Sequence, residues 1–377
     1  MMNNNTIYTA RLAATRYRMQ EAGLDGLLIS CPENRRYLSG FTAMDSHINE
    51  SSGLLLITRE AAHLLTDFRY RDWAEAEAPL FDIQIYTRGL AKLLPELLKD
   101  LKGGRVGFET LFLTYYSYHK ITQETEAAGL QIVWQPVENL VEQVRVIKDS
   151  EEIQLIIKSL AIAEKVIAIV SAQLRPGLAE KEVAWMIELA LRDSGAQGPS
   201  FPPMVAFGTN SARPHHDPGD RQLRTGEPII IDMGAVYQGY CSDMTRTFCL
   251  GKPEAKFKEI YSIVRQAQKT AEAGIKAGMM TDAADGLARE VIEAAGYKEA
   301  FGHSLGHGVG LAVHENPSLS PMKERAVALE AGMIATVEPG IYLSDWGGVR
   351  LEDMIHVQAD GARVLNQDRN FYEFESA

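Results

Sequence analysis

Residues 227–250 read EPIIIDMGAVYQGYCSDMTRTFCL, and the interpretation of the whole chain starts from this stretch. An apolar run (229–231) precedes a short loop, and an alternation of apolar and polar residues follows from Met244, which together predict a β-hairpin. Each arm carries one carboxylate, Asp232 and Asp243, and these positions of an antiparallel pair share a face. Like charges on a half-buried sheet repel each other unless a cation lies between them, and a divalent metal would supply it. The alternative interpretation is a pair of solvated surface carboxylates.

The length and charge of the chain limit its domain number and its partners. The 377 residues are 46% hydrophobic, which allows a large buried core, and this length is typical of two domains. The formal net charge is −12. Such a charge opposes binding to nucleic acid or to an anionic membrane surface. The sequence therefore predicts no nucleic-acid partner and no membrane partner.

The cysteines and the first residues indicate a reducing compartment. The chain has three cysteines, Cys31, Cys241 and Cys249. An odd number of cysteines without a Cys-x-x-Cys motif argues against a disulfide framework and against a thiolate zinc site. The first residues, MMNNNTI, lack the basic and apolar regions of a signal peptide. No apolar run is long enough to span a bilayer. These features predict a cytoplasmic protein.

The pattern of predicted helices and strands changes near residue 140, which indicates a domain boundary. Up to about Pro136, short strand-like runs alternate with helical patterns, which predicts an α/β domain over residues 1–140. A charged linker follows and leads into a long helix, so that residues 141–377 form a second domain. Within the first domain, residues 32–41 read PENRRYLSGF and are interpreted as a polar loop. That loop is either a solvated connection or a binding segment.

The second domain contains a weak internal repeat. Gly177 matches Gly278 and Gly195 matches Gly296, each at an offset of 101 residues. A long amphipathic helix precedes each pair and strand-like segments follow it, so the order helix, helix, strands occurs twice. We therefore expect a duplicated domain with a site at the seam between its halves.

Carboxylates occur at matching strand positions in both halves. Glu338 ends an apolar strand just before a Pro-Gly turn, and Glu352 is predicted in the next alternating strand. They correspond to Asp232 and Asp243 of the first half. A surface interpretation would require four acidic residues to match by accident.

Histidines accompany these carboxylates. Residues 302–315 read GHSLGHGVGLAVHE and contain His303, His307 and His314 in a glycine-rich segment that disfavours a helix. A strand or extended loop would place His303 and His307 on one face. His215 and His216 lie on a loop ahead of the hairpin.

Four carboxylates and one histidine form a hard, oxygen-rich set without thiolates. This set suits two Mn²⁺, Co²⁺ or Zn²⁺ ions better than a structural zinc ion. Paired metals activate a water molecule and polarise a carbonyl oxygen, and the remaining histidines could stabilise an oxyanion or shuttle protons. The chemistry predicted from the residues is metal-assisted hydrolysis, with an amide as substrate.

These motifs resemble the pita-bread metallopeptidases, peptidase family M24, in the branch of aminopeptidase P and prolidase. The matching motifs, in the family's order, are FPP (201–203), NSARPHH (210–216), IDMG (231–234), GYCSDMTRTF (239–248), GHGVGLAVHE (306–315), VEPGIY (337–342) and VRLED (349–353). The first domain resembles the creatinase-type N-terminal domain of the proline-specific members. The resemblance implies an α/β N-terminal domain (creatinase N-terminal-like, ribonuclease-H-like) and an α+β pita-bread catalytic domain with an internal pseudo-two-fold duplication.

Carried over position by position, the resemblance implies a role for each site residue. Asp232 would chelate one metal, Asp243 and Glu352 would bridge both, and His307 would complete the other metal's shell with Glu338. Glu338 would also contact the bridging hydroxide and act as the general base. The remaining residues would line the substrate pocket, stabilise developing charge or hold a carboxylate: His303, His314, His215 and Arg350.

The implied function is hydrolysis of the N-terminal Xaa-Pro bond, by an aminopeptidase or a dipeptidase. Some prolidases carry a basic residue after His-Glu-x-Pro, where this chain has Ser318, and this favours the aminopeptidase. Arg213 and Ala312 also depart from common residues of the family. Two alternatives remain, namely a metal-free creatinase-like C–N hydrolase and a non-catalytic peptide-binding member. The family also implies two divalent ions, with Mn²⁺ as the first candidate before Co²⁺ and Zn²⁺, and a homodimer.

Overall fold

The chain folds into two compact units, Met1–Arg145 and Val146–Ala377. The structure, a computed structural model, describes residues 4–45, 47, 50–101, 103–368 and 371–374. Within these residues, none of the helices combines the length and the hydrophobicity needed to cross a membrane.

The first unit is an α/β structure built on a mixed sheet. Its strands are β1 (Gly26–Ile29), β2 (Leu54–Thr58), β3 (Ala62–Thr66), β4 (Asp82–Ile85), β5 (Arg105–Glu109) and β6 (Val133–Val137). Its helices are α1 (Asn4–Glu21), α2 (Pro32–Ser39), α3 (Arg71–Glu77), α4 (Leu90–Leu98), α5 (Tyr115–Ala127) and α6 (Glu142–Arg145). The sheet order is β4-β3-β2-β1-β5-β6, with β1 parallel to β5 and antiparallel to β2. Leucines of β1, β2 and α4 form its apolar core.

The segment interpreted as a polar loop is helix α2, so that interpretation was wrong. Pro32 occupies the first turn, where its missing N–H costs nothing, and Gly40 ends the helix in the left-handed conformation at φ 86°. The side chain of Arg35 is buried and donates to the carboxylate of Asp45 and to the carbonyl oxygens of Ala43 and Gly53. Arg35 therefore supports the fold of the first unit rather than contacting a ligand.

Glu109 is a buried carboxylate at the carboxyl end of β5. It accepts hydrogen bonds from the backbone N–H groups of Ser30 and Cys31 and from the side-chain amide of Asn34. Burial raises the pKa of Glu109 from 4.5 to about 7, and these hydrogen bonds only partly oppose that shift. Because the pKa is raised in the folded state, the folded protein binds more protons than the unfolded chain between these two pH values.

We expect the first unit to lose stability as the pH rises from about 4.5 to about 7. A shift of this size corresponds to about 3 kcal/mol in the free energy of unfolding. Chemical unfolding can be followed by the fluorescence of Trp73 and Trp134 after Trp185→Phe and Trp346→Phe substitution in the second unit. The variant Glu109→Gln should lack most of this pH dependence. An equal slope in both proteins would contradict the account.

The second unit contains the helices α7 (Ser150–Ser171), α8 (Glu180–Asp193), α9 (Ala255–Gly274) and α10 (Thr281–Ala294). Its first strands are β7 (Gly198–Pro199), β8 (Met204–Phe207), β9 (Pro228–Met233), β10 (Ala235–Tyr237), β11 (Tyr240–Cys241) and β12 (Met244–Cys249). The others are β13 (Gly306–Gly308), β14 (Glu315–Leu319), β15 (Ile334–Val337), β16 (Gly340–Leu343), β17 (Gly347–Arg350), β18 (Asp353–Gln358) and β19 (Gly361–Val364). The main sheets have the orders β12-β9-β8 and β14-β13-β15-β18-β19.

The order helix, helix, strands occurs twice in the second unit, as the repeat predicted. The paired glycines share a left-handed backbone, with φ 92° and 82° in the pair Gly177 and Gly278. The next pair, Gly195 and Gly296, has φ 95° and 88°. This conformation favours glycine, which explains why the repeat is visible as matched glycines.

The predicted hairpin consists of β9 and β12, which pair along their whole length. Thr245 lies opposite Asp232, so that Asp243 is one diagonal away from Asp232. The connection is more elaborate than the predicted short loop, since β10 and β11 form a small hairpin of their own. Gln238 and Gly239 turn this hairpin with φ 45° and 79°.

Candidate metal and substrate site

All nine predicted site residues line one cavity of about 600 Å³ in the second unit. They are Asp232, Asp243, His307, Glu338, Glu352, His303, His314, His215 and Arg350. The wall also contains apolar side chains and further polar groups, among them Phe201, Pro202, Met204, Asp217 and Ser318. A cavity of this size that combines apolar walls with converging charged groups is typical of a small-ligand site.

Strand ends bring the four carboxylates together from both halves. Asp232 lies within β9 and Asp243 immediately precedes β12, whereas Glu338 immediately follows β15. Glu352, which the sequence placed within a strand, lies between β17 and β18. Its backbone N–H donates to the carbonyl oxygen of Thr245 at 3.1 Å, which joins the two halves beside the cavity.

Asp243, His307 and Glu352 form a compact group of potential ligand atoms. One ligand atom from each lies within 4.8 Å of the other two. Nε2 of His307 is 3.6 Å from Oδ2 of Asp243 and 3.4 Å from Oε1 of Glu338. A cation placed among these atoms would be within reach of carboxylate oxygens and of an imidazole nitrogen.

The carboxylates strongly disfavour one another's charged form. Burial and the neighbouring carboxylates raise the pKa of Asp243 and the pKa of Glu352 well above their usual range. Burial raises the pKa of Glu338 to about 7, while Arg350 opposes that shift. Such a cluster of buried acids is stable in its charged form only with positive charge among the oxygens.

Orphaned oxygen atoms provide the test of whether a metal fits. Within the described residues, Oδ1 of Asp232, Oδ1 of Asp243 and Oε1 of Glu352 are buried and have no hydrogen-bond partner. Buried polar atoms are normally satisfied, so three such oxygens in one cavity indicate a missing partner. Together with Glu338 and His307 they form the oxygen-rich donor set that hard divalent cations prefer. The residues therefore fit a divalent metal.

The glycines beside His307 allow close strand packing. A Cβ atom at Gly306 would clash with the carbonyl oxygen of Thr336 on β15, and one at Gly308 would clash with that of Asn316 on β14. Residues 306–308 form the short strand β13, one of the two forms that the sequence predicted for this segment. It pairs with β14 on one side and with β15 on the other. His307 is thereby placed between the two strands at the edge of the cavity.

Arg350 and Tyr342 connect the carboxylates to the histidines. Nη2 of Arg350 donates to Oδ2 of Asp232 at 2.6 Å, and its Nη1 donates to the hydroxyl of Tyr342 at 2.9 Å. That hydroxyl is also 2.9 Å from Nε2 of His303. The resemblance implied that one of these residues holds a carboxylate, and Arg350 holds that of Asp232.

Three of the pocket histidines favour the neutral form. Burial and the nearby guanidinium of Arg350 lower the pKa of His303 to about 4. Burial likewise lowers the pKa of His307 and the pKa of His314, whose rings lie 4.3 Å apart between centroids. A neutral imidazole can coordinate a metal through one nitrogen and donate a hydrogen bond through the other.

Sequence reasoning missed three hydroxyl groups of the site. Besides Tyr342, these are Thr245, which donates to Oε2 of Glu352 at 2.7 Å, and Thr336, which donates to Oε1 of Glu338 at 3.1 Å. Thr245 and Thr336 are each two residues from a carboxylate on the same strand face, and this spacing was the available signal for them. Tyr342 lies within one of the quoted motifs, but no spacing marks its contact. Hydroxyl groups that orient metal ligands are common supports of metal sites.

Both units of the chain are similar to known proteins. Residues 154–359 match the family model of Metallopeptidase family M24, and residues 11–147 match that of the Creatinase/Prolidase N-terminal domain. A Xaa-Pro dipeptidase of Pyrococcus horikoshii is 35% identical over 93% of this chain and 94% of its own. The structure of a Xaa-Pro dipeptidase from Bacillus anthracis is 38% identical, with a TM-score of 0.89 over 96% of this chain and 98% of that one. An X-Pro aminopeptidase from Thermotoga maritima is 34% identical, with a TM-score of 0.82 over 93% and 97%.

Proposed function

The chain belongs to metallopeptidase family M24 and is a metallo-exopeptidase, and from this premise we propose that it hydrolyses the bond between an N-terminal residue and proline. One observation carries the proposal: four carboxylates and His307 converge on one cavity, and three of the carboxylates have a buried oxygen without a hydrogen-bond partner. Relatives named for Xaa-Pro cleavage support the substrate class, because they cover nearly the whole chain.

The proposed ligands of the metal are Asp232, Asp243, His307, Glu338 and Glu352. Four carboxylates and one imidazole supply enough donor atoms for two ions, and Mn²⁺ suits this hard set. When bound, divalent metal ions lower the pKa of a water molecule and polarise a carbonyl oxygen. Co²⁺ and Zn²⁺ are the other candidates.

Glu338 is proposed as the general base. Its carboxylate lies in the cavity, with Oε1 3.4 Å from Nε2 of His307, where it can accept a proton from a water molecule of the site. Thr336 holds one of its oxygens by a hydrogen bond, which limits the rotation of the carboxylate. His314 and His215 line the same cavity and could donate hydrogen bonds to an oxyanion. His303 also lines the cavity, but its Nδ1–H donates to the carbonyl oxygen of Ser304, so that it orients the hydroxyl of Tyr342 through Nε2 instead.

The cavity wall suits a prolyl residue. Phe201, Pro202 and Met204 give it apolar surface for a pyrrolidine ring. The proline nitrogen is a tertiary amide without an N–H group and has a fixed φ, so its peptide bond requires a dedicated pocket. We therefore place proline against this apolar wall.

A panel of substrates tests the proposal. Purified protein with added Mn²⁺ should cleave Leu-Pro or Leu-Pro-Gly-Gly, leave Leu-Ala largely intact and leave creatine unchanged. Cleavage of creatine in the presence of chelator would favour the metal-free C–N hydrolase. Tight binding of Xaa-Pro peptides without cleavage under any added metal would favour the non-catalytic module. The homodimer is a further part of the proposal, and sedimentation velocity measures it directly.

Ser318 leads us to favour an aminopeptidase over a dipeptidase. It lines the cavity, and a serine hydroxyl cannot form the ion pair with a dipeptide carboxylate that a basic residue there would form. The dipeptidase is the second candidate, because several relatives of similar identity carry that name.

We expect Ser318→Arg to raise kcat/KM for Leu-Pro about tenfold relative to Leu-Pro-Gly-Gly. A charge-assisted hydrogen bond of a guanidinium to a terminal carboxylate is worth about 1.5–3 kcal/mol, which suffices for this change. The matched control Ser318→Met adds length without charge and should not alter the preference. If Ser318→Arg and Ser318→Met had the same effect, the argument from the terminal carboxylate of the dipeptide would be contradicted. If the wild-type protein preferred dipeptides, the dipeptidase would be favoured over the aminopeptidase.

A further inference from the structure

One wall of the cavity comes from residues 204–219, which we call the wall segment. Met204, Pro214, His215 and His216 line the cavity from this segment, followed by Asp217. None of them belongs to the proposed ligand set. The segment contains β8 and a 3₁₀ turn, Gly208–Ala212, followed by irregular chain. Irregular chain needs side-chain partners to hold a fixed position.

Glu180 supplies those partners from outside the cavity. It is the first residue of α8, and its side chain is fully buried. Oε1 accepts hydrogen bonds from the backbone N–H of Phe207 and from Nδ2 of Asn210, both at 2.9 Å. Oε2 accepts from Nε2 of His216 at 2.8 Å and from the backbone N–H of Gly219 at 3.1 Å. One carboxylate thus contacts the beginning, the middle and the end of the wall segment.

The chemistry of these contacts makes the carboxylate hard to replace. A carboxylate only accepts hydrogen bonds, and here four donors converge on its two oxygens. An amide in its place would turn its NH2 group towards one of the two donor pairs, and the backbone N–H group of Phe207 or of Gly219 would lose its acceptor. His216 must donate from Nε2 to this carboxylate, which fixes the orientation of its ring.

The other half of the duplicated unit holds its pocket loop in a similar way. Asp285 on α10 accepts from the backbone N–H of Leu305 at 2.9 Å and pairs with Arg289. Arg289 donates to the carbonyl oxygens of Phe301 and His303 at 2.9 and 2.8 Å. In both halves, therefore, an acidic residue on the second helix anchors a loop that carries pocket histidines.

We infer that Glu180 is a positioning residue for substrate binding, because it fixes the wall segment against which the peptide lies. This inference rests on the proposed function for its substrate. Its effect should fall on binding of the peptide rather than on the metal ions, since Glu180 contacts none of the proposed ligands.

The test compares Glu180→Gln with Glu77→Gln. Glu77 is a matched control in the first unit, because its carboxylate also accepts from a backbone N–H group and a side chain, the N–H and the hydroxyl of Thr42. Hydrogen exchange measured by mass spectrometry should be at least tenfold faster in peptides covering residues 207–219 of Glu180→Gln. Peptides covering β9 and β15 should exchange as in the wild type. Unchanged exchange of the wall segment would overturn the inference.

Steady-state kinetics provide the second measurement. For Leu-Pro-Gly-Gly with saturating Mn²⁺, Glu180→Gln should raise KM about tenfold, with kcat within threefold of the wild type and the same metal content. Glu77→Gln should leave both constants unchanged. An unaltered KM, or a loss of bound metal, would overturn the positioning role. Absence of cleavage by the wild type would count against the proposed function alone, because hydrogen exchange still decides whether Glu180 holds the segment.

Discussion

Replacing Glu338 by glutamine is expected to lower kcat for Xaa-Pro substrates about 10³-fold or more. A glutamine amide has nearly the same shape but cannot accept a proton, so general-base catalysis is lost, and such catalysis contributes about 10²–10⁴-fold. The amide is also a weaker metal ligand than a carboxylate, which adds to the loss. The measurement is kcat with Leu-Pro-Gly-Gly and Mn²⁺, together with the metal content of the variant.

The matched control is Glu330→Gln, which removes an exposed carboxylate just before β15. It should keep wild-type kcat and metal content. A Glu338→Gln variant that retained most of the wild-type kcat would refute the assignment of Glu338 as the base. A variant that still bound the peptide without cleaving it would support that assignment.

Replacing Asp243 by asparagine is expected to have opposite effects on the metal-free and the metal-loaded protein. In the metal-free protein, burial and the charges of the other carboxylates destabilise the ionised Asp243, as its raised pKa indicates. Because the folded-state pKa of Asp243 is raised, the wild-type protein loses stability as the pH rises. The asparagine side chain stays neutral at every pH, so the variant should be more stable than the wild type at pH 8. In the presence of chelator, the Tm should rise by about 3 °C, which corresponds to about 1 kcal/mol in a domain of this size.

With Mn²⁺ the order should reverse, because the variant lacks a ligand shared by the proposed metals. Wild-type protein should gain Tm with added Mn²⁺, since a ligand that binds only the folded state stabilises it, and the variant should gain much less. Its activity should fall below about 10⁻³ of the wild type. The control Asp220→Asn removes an exposed carboxylate outside the cavity and should change neither Tm. An Mn²⁺-induced rise in the Tm of Asp243→Asn as large as that of the wild type would contradict a role in metal binding.

Much of the fold could be predicted from local pattern. The alternation and the apolar run around Asp232 and Asp243 predicted the β9–β12 pair, because strand periodicity directly reflects which face is buried. The matched glycines predicted the duplication, because a left-handed turn selects glycine in each half. The comparisons confirm the creatinase-type N-terminal domain and the pita-bread catalytic fold.

The errors arose where tertiary contacts override local composition. The residues of α2 look like a polar loop, yet the helix forms because Arg35 is satisfied by groups that are distant in sequence, such as Gly53. The supporting residues of the site were missed for the same reason. Tyr342 and Glu180 act through partners 39 and 36 residues away, His303 and His216 respectively, and no spacing in the sequence marks those contacts.

The central claim is that the carboxylates and His307 hold two metal ions that Xaa-Pro cleavage requires. The most direct test titrates chelator-treated, desalted protein with Mn²⁺ while following cleavage of Leu-Pro-Gly-Gly. We predict no cleavage without metal and a rise in activity that levels off at about two equivalents of Mn²⁺ per chain. Full activity without added or bound metal would contradict the claim, as would no cleavage at any concentration of Mn²⁺, Co²⁺ or Zn²⁺.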